Sequence, residues 1–94
     1  NELIDHNQKF SNSNIQFSCG DITIDDLPKV DLVLVRDLFI HFSNEDVFKS
    51  LNNLQRSGSK YLLSTIFTGR KKNYQIHTGS WRPINLIKPP FHFP

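Results

Sequence analysis

Four polar side chains sit where an α/β protein would do its chemistry. Asp21 follows Gly20 directly after the apolar and polar alternation of Ile15–Ser18, and Arg36-Asp37 closes the aliphatic run Val30–Val35. His41 lies four residues beyond Asp37, in the apolar stretch Leu38–Phe42. In an open sheet of parallel strands, ligands bind in the crevice outside the carboxyl ends of the strands. Asp21 and Asp37 both stand at such ends, where a carboxylate can accept a hydrogen bond from a ligand amine or hydroxyl. Each position also has a plainer reading: Gly-Asp is a common turn pair, Arg36-Asp37 suits a solvated ion pair, and a lone histidine is more often packed or solvated than catalytic. The basic run Arg70-Lys71-Lys72 reads as a solvated loop.

Positioning these groups requires a strand, a helix and a second strand. Val30, Leu32, Val33, Leu34 and Val35 are interrupted by Asp31 alone. Such a run without alternation predicts a strand buried on both faces. Ser43 is a good N-cap, with Glu45 and Asp46 in the first turn to complement the helix dipole. Val47, Phe48, Leu51 and Leu54 recur on one helical face, and Gly58 is placed to end the helix in a left-handed conformation. Lys60–Phe67 is a second strand of the buried type. A strand, helix and strand in that order predict a parallel βαβ unit. Before it, Asn1–Phe10 reads as the last turns of a helix and Ile15–Ser18 as a short strand. After it, from Thr68, periodicity fails, and Gly69, Gly79 and the prolines Pro83, Pro89, Pro90 and Pro94 mark an irregular tail. The expected organisation is residues 1–67 as the central part of a Rossmann-like α/β domain, and residues 68–94 as an irregular segment of the same domain.

Composition narrows the classes. With 37% hydrophobic and 21% charged residues the chain is globular in type. A net charge of +2 is too weak to argue for a nucleic-acid or membrane surface, and neither partner is expected. The single cysteine, Cys19, makes no internal disulfide and fits a cytoplasmic location. Cys19, His6, His41, His77 and His92 are too widely spaced for a zinc motif, so no metal is expected. No segment has the length of a transmembrane helix or the form of a signal peptide. The sequence contains no Met and begins at Asn1, and reads as a piece of something longer.

The order Phe-Ser-Cys-Gly-Asp-Ile at 17–22, Asp-Leu-Pro at 26–28, Val-Asp-Leu-Val-Leu-Val-Arg-Asp-Leu-Phe-Ile-His-Phe at 30–42, a helix, and Arg-Ser-Gly-Ser-Lys-Tyr-Leu-Leu at 56–63 resembles the second half of the cofactor domain of class I S-adenosylmethionine-dependent methyltransferases. The resemblance covers about half the chain. The stretch Thr78–Leu86 also resembles a signature of a less characterised subgroup.

The resemblance implies S-adenosyl-L-methionine as cofactor. Asp21 would accept from the adenine amino group and the Ile22 backbone N–H would meet the adenine ring. Arg36 would face the methionine part, with Asp37 and His41 on the floor between cofactor and acceptor, where either is the candidate base. Trp81, Arg82 and Asn85 would shape the pocket of an acceptor, a small molecule or a protein. The plainer alternative has Trp81 plugging the core and Arg82-Pro83 making a turn. The family's first strand, its glycine-rich loop and the acidic residue that holds the ribose hydroxyls have no counterpart in these residues. The 94 residues alone are therefore expected to be poorly stable and not to bind cofactor measurably. Two other readings stand beside this one: another Rossmann-like enzyme, for instance a nicotinamide-dependent one, and a non-catalytic α/β interaction domain.

Overall fold

A computed structural model describes all 94 residues. Helix α1 spans Glu2–Asn7, with the Asn1 side chain accepting from the Ile4 N–H at 2.9 Å, and it runs on into a 3-10 turn at Gln8–Phe10. Strand β1 is Leu32–Val35, a 3-10 turn occupies Phe39–His41, helix α2 is Asn44–Ser57, and strand β2 is Tyr61–Ser64. The strands pair in parallel, from Leu32 opposite Tyr61 to Val35 opposite Ser64. The chain is thus a small α/β unit in which a helix connects two parallel strands.

α2 forms where its signals lie. The Ser43 hydroxyl accepts from the Asp46 N–H at 3.1 Å, and Glu45 and Asp46 occupy the positive end of the helix dipole. Gly58 ends the helix at φ 77°, a left-handed conformation that costs a residue without Cβ little. Val47, Ser50 and Leu54 turn one face into the core. Val47 and Leu54 each contribute about 1.5–3 kcal/mol through removal of apolar surface from water.

The core joins Val35, Phe39, Ile40, Val47 and Leu54 to Ile84, Leu86 and Phe91 from the tail, with Val33, Leu51 and Leu62 packed against it. The tail has no helix or strand after Ser64, yet it supplies three of the eight buried hydrophobic side chains. Backbone hydrogen bonds tie it down at single points: Phe67 N–H to Ile84 O at 2.8 Å, and Phe93 N–H to Leu86 O at 2.8 Å.

Two expectations are corrected. The first is a strand at Ile15–Ser18. The segment joins no sheet, because no strand lies beside it to share a ladder. It is held instead by Gln8 Nε2 donating to Phe17 O at 2.8 Å and by Asn12 Oδ1 accepting from the N–H groups of Asn14 and Ile15. The second is burial of β1 on both faces. Val33 and Val35 turn inward, but Leu32 and Leu34 are 54% and 63% exposed. Tyr61 and Leu63 of β2 are exposed in the same register. Side chains alternate across a strand, and α2 with the tail covers only one face of this two-stranded sheet.

Candidate functional site

The carboxyl end of β1 is fixed by the segment that leaves β2. Val35 O accepts from the Thr65 N–H at 3.1 Å, and the Thr65 hydroxyl then accepts from the Asp37 N–H at 3.0 Å. Asp37 has φ 53°, a left-handed conformation that few residues other than glycine adopt and that Asp tolerates better than most. Such conformations persist where the surroundings over-determine them, often at functional sites. The Arg36 Nε and Asp37 carboxylate lie 3.8 Å apart with both side chains largely exposed, a pair that contributes little to stability. Its carboxylate and guanidinium are presented at the strand end.

Phe39 and Ile40 then bury themselves in the core and carry His41 back to the surface. The His41 ring is not free to turn: its Nδ1 lies 2.9 Å from Ser80 O. A carbonyl oxygen can only accept, so Nδ1 carries the proton and a neutral ring keeps its lone pair on Nε2. The backbone around it is strapped as well. Gly79 N–H donates to His41 O at 2.7 Å, Arg82 N–H donates to Ile40 O at 2.9 Å, and Gly79 makes the approach at φ 104°. Thus the tail turn at Gly79–Arg82 sets the position of His41.

Asp21 belongs to a second group. Its Oδ1 accepts from both the N–H and the hydroxyl of Thr23, at 2.9 and 2.7 Å. These bonds, the hydroxyl's first, hold its carboxyl below the usual carboxylate range. Asp21 Oδ2 and the Ile22 N–H make no hydrogen bond within the chain. The segment is anchored to α2 by the buried Asn53, whose Nδ2 donates to Ile22 O at 2.9 Å and Asp25 O at 2.7 Å. No hydrogen bond or ion pair joins Asp21 or Ile22 to Arg36, Asp37 or His41. Arg36 and Asp37 stand together at the end of β1, His41 lies beyond them against the tail at Gly79 and Ser80, and Asp21 and Ile22 lie on the flank of α2.

The three tail candidates divide. Arg82 is 3% exposed. It donates from Nε to Tyr74 O at 3.0 Å, from Nη1 to Phe39 O at 2.7 Å and from Nη2 to Asn44 Oδ1 at 2.8 Å. Burial lowers the pKa of its guanidinium. Asn85 is buried too; its Nδ2 donates to Arg70 O at 3.1 Å and its Oδ1 accepts from the Ile87 N–H. Both side chains hold backbone in place. Trp81 is 55% exposed and meets the Phe67 ring edge-on, 6.4 Å between centroids. Of the three, only Trp81 faces outward, which corrects the alternative in which Trp81 plugs the core.

Thr65, Ser80 and Asn53 are not legible as site-building residues in the sequence, since each acts through one hydroxyl, carbonyl or amide on a partner distant along the chain. Gly79, inside Thr-Gly-Ser, carries the one local signal. No group of three or more His, Cys, Asp or Glu side chains is placed to hold a metal ion, and no helix is long and apolar enough to cross a membrane. No protein-family model, curated protein or solved structure matches the chain.

Proposed function

We propose that residues 1–94 are part of a methyltransferase domain that transfers a methyl group from S-adenosyl-L-methionine to an acceptor. The observation that carries this reading is the unengaged pair at Asp21 and Ile22, an acceptor oxygen next to a donor N–H in a segment pinned by Asn53. Adenine offers the complement, an amino donor beside a ring-nitrogen acceptor. The resemblance around Gly20-Asp21-Ile22 assigns that role to the same two residues. An Asp carboxylate is ionised at neutral pH, the form that accepts most strongly.

When bound, the cofactor supplies an electrophilic methyl on a positively charged sulfur, open to in-line displacement. On this reading Arg36, at the end of β1, would face the methionine part of the cofactor, and Asp37 and His41 would line the floor between cofactor and acceptor. Alignment of the nucleophile and exclusion of water are then the protein's main contributions. Where the acceptor must lose a proton, it passes to the His41 Nε2, which the Ser80 carbonyl leaves as the basic nitrogen. The glycine-rich loop and the ribose-holding acid of the family would come from polypeptide outside residues 1–94.

Calorimetric titration of S-adenosyl-L-methionine into the natural polypeptide that carries these residues tests the reading. Asp21→Ala should weaken binding about tenfold or more, the loss expected for a hydrogen bond to a charged acceptor. Equal affinity in wild type and variant, or no binding by either, contradicts it. Turnover measured separately in His41→Ala and Asp37→Ala tests the base; turnover unchanged in both rejects that role.

A second reading is favoured by the open sheet face. Leu32, Leu34, Tyr61 and Leu63 leave an apolar surface uncovered, as in an α/β domain used for interaction rather than catalysis. Absence of cofactor binding in the experiment above would favour it.

A further inference from the structure

We propose that the exposed surface formed by Phe67, Arg70, Lys71, Lys72, Tyr74 and Trp81 binds single-stranded nucleic acid, with its cations on phosphates and its rings on bases. The proposal does not depend on the methyl-transfer reading.

The net charge of +2 conceals a division. All nine carboxylates lie in residues 1–46 with only three Lys or Arg, while residues 47–94 hold eight Lys or Arg and no Asp or Glu. A charge asymmetry of this kind between two halves points to a polyanionic partner more strongly than the total does. Three of the eight cations are consecutive, Arg70-Lys71-Lys72, and all three are exposed. Together with Gly69 and Tyr74 they line an open hollow of about 260 Å³.

Aromatic rings flank these cations. Tyr74 is 56% exposed, with the Arg70 guanidinium 5.6 Å from its ring centroid. Trp81 and Phe67 lie edge to face and both reach solvent. These residues lie within fifteen positions of the chain, and single hydrogen bonds link parts of that segment. Arg70 N–H donates to Phe67 O at 3.1 Å, closing the turn between ring and cations, and Arg82, the neighbour of Trp81, donates to Tyr74 O. Cations that follow a backbone, with rings on which bases stack, are how single strands are held without reading sequence.

The loop that presents the cations is built. Asn73 Nδ2 donates to Asn85 O at 2.9 Å and Pro89 O at 2.7 Å, Asn73 Oδ1 accepts from the Asn85 N–H at 2.8 Å, and Asn85 Nδ2 reaches Arg70 O. The Arg70 carbonyl on one side of Lys71-Lys72 and the Asn73 side chain on the other are thus anchored to the tail, which lowers the ordering cost of binding. A duplex groove reader needs a helix or a ribbon to insert, and this surface has neither. An anionic membrane would favour a continuous apolar face, whereas here the Arg70 guanidinium lies against the Tyr74 ring and three cations are exposed in the same segment.

Trp81 is the only tryptophan, so its emission reports on this surface alone. The 94-residue chain is titrated at low salt with an oligothymidine of about ten nucleotides, within the roughly 4–16 that single-strand sites accommodate. Saturable quenching is expected, weakening with salt at a log–log slope of about −2, the value for three phosphates on a single strand. Dextran sulfate, a polyanion without aromatic rings, should not quench. Lys71→Ala combined with Lys72→Ala should bind about tenfold more weakly with a shallower slope. Trp81→Ala, followed by anisotropy of a labelled oligonucleotide, should lose about tenfold with the slope unchanged. Far-UV circular dichroism checks that both variants fold, and the oligonucleotide and dextran sulfate arms need no variant. The proposal is overturned by no quenching at about 100 μM oligonucleotide, where even non-specific binders respond. Equal quenching by dextran sulfate, or equal quenching by phosphatidylserine vesicles at matched charge, also overturns it.

Discussion

Residues 1–31 and residues 65–94 are nearly equal in length and opposite in how they are held. The first segment contains a regular helix, α1, and buries none of its side chains. The second contains no helix or strand and buries Arg82, Ile84, Asn85, Leu86 and Phe91, five of the twelve buried residues of the chain. Regular hydrogen bonding and membership of the core are separate properties. A short helix satisfies its own backbone and needs no neighbour, but such helices are marginal in isolation. An irregular segment enters a core only when other groups satisfy its backbone. Here Arg82, Asn73 and Asn85 do so, replacing a strand ladder with side-chain bonds to carbonyls.

That difference sets the order of expected effects. Arg82→Leu strands the buried carbonyl of Phe39 and releases Tyr74 and Asn44, and should cost about 4 kcal/mol in urea denaturation. A loss under about 0.5 kcal/mol would place the tail outside the core. Ile84→Ala, at a position with no exposure, should cost about 3 kcal/mol through lost burial and the cavity left behind. Asn85→Ala should cost about 2 kcal/mol by freeing Arg70 O and the Ile87 N–H. In the other region Leu3→Ala, at 66% exposure, should change stability by less than about 0.5 kcal/mol. A larger loss there would mean that α1 packs on the core after all.

The smallest expected effect is a titration. Asp21 has its pKa lowered by Thr23, so the bonds it accepts are complete above its ordinary value of 3.8 and are lost as pH falls through the lower folded value. The Thr23 amide proton shift should therefore titrate with a midpoint below 3.8. A midpoint at or above it would mean that the Asp21 turn is open in solution.

The sequence reveals what is local and conceals what is not. α2 is legible from Ser43 to Gly58 because caps, dipole partners and a 3.6-residue period all lie within it, and the parallel pair follows from the order of elements. Aliphatic composition overstates the burial of Leu32 and Leu34, since a run of branched residues does not say how many layers cover it. Ile15–Ser18 has the alternation of a strand and no partner. The tail is least legible: proline and glycine mask any period, and partners such as Arg82 and Phe39 are 43 positions apart. The same gap affects the site, where Asp37 and His41 are visible at the strand end, but Thr65 and Ser80, which fix them, are not.

Native-state hydrogen exchange tests the contrast most directly. The amides of Phe67, Gly79, Arg82 and Phe93 all donate to backbone carbonyls. If the tail is core, they should exchange at rates close to those of the α2 amides, while Asp5 and Asp25 exchange orders of magnitude faster, as expected for segments that open locally. Exchange of Phe67 and Arg82 as fast as that of Asp25 would contradict a core built on the irregular tail, and with it the strapping that holds His41 in place.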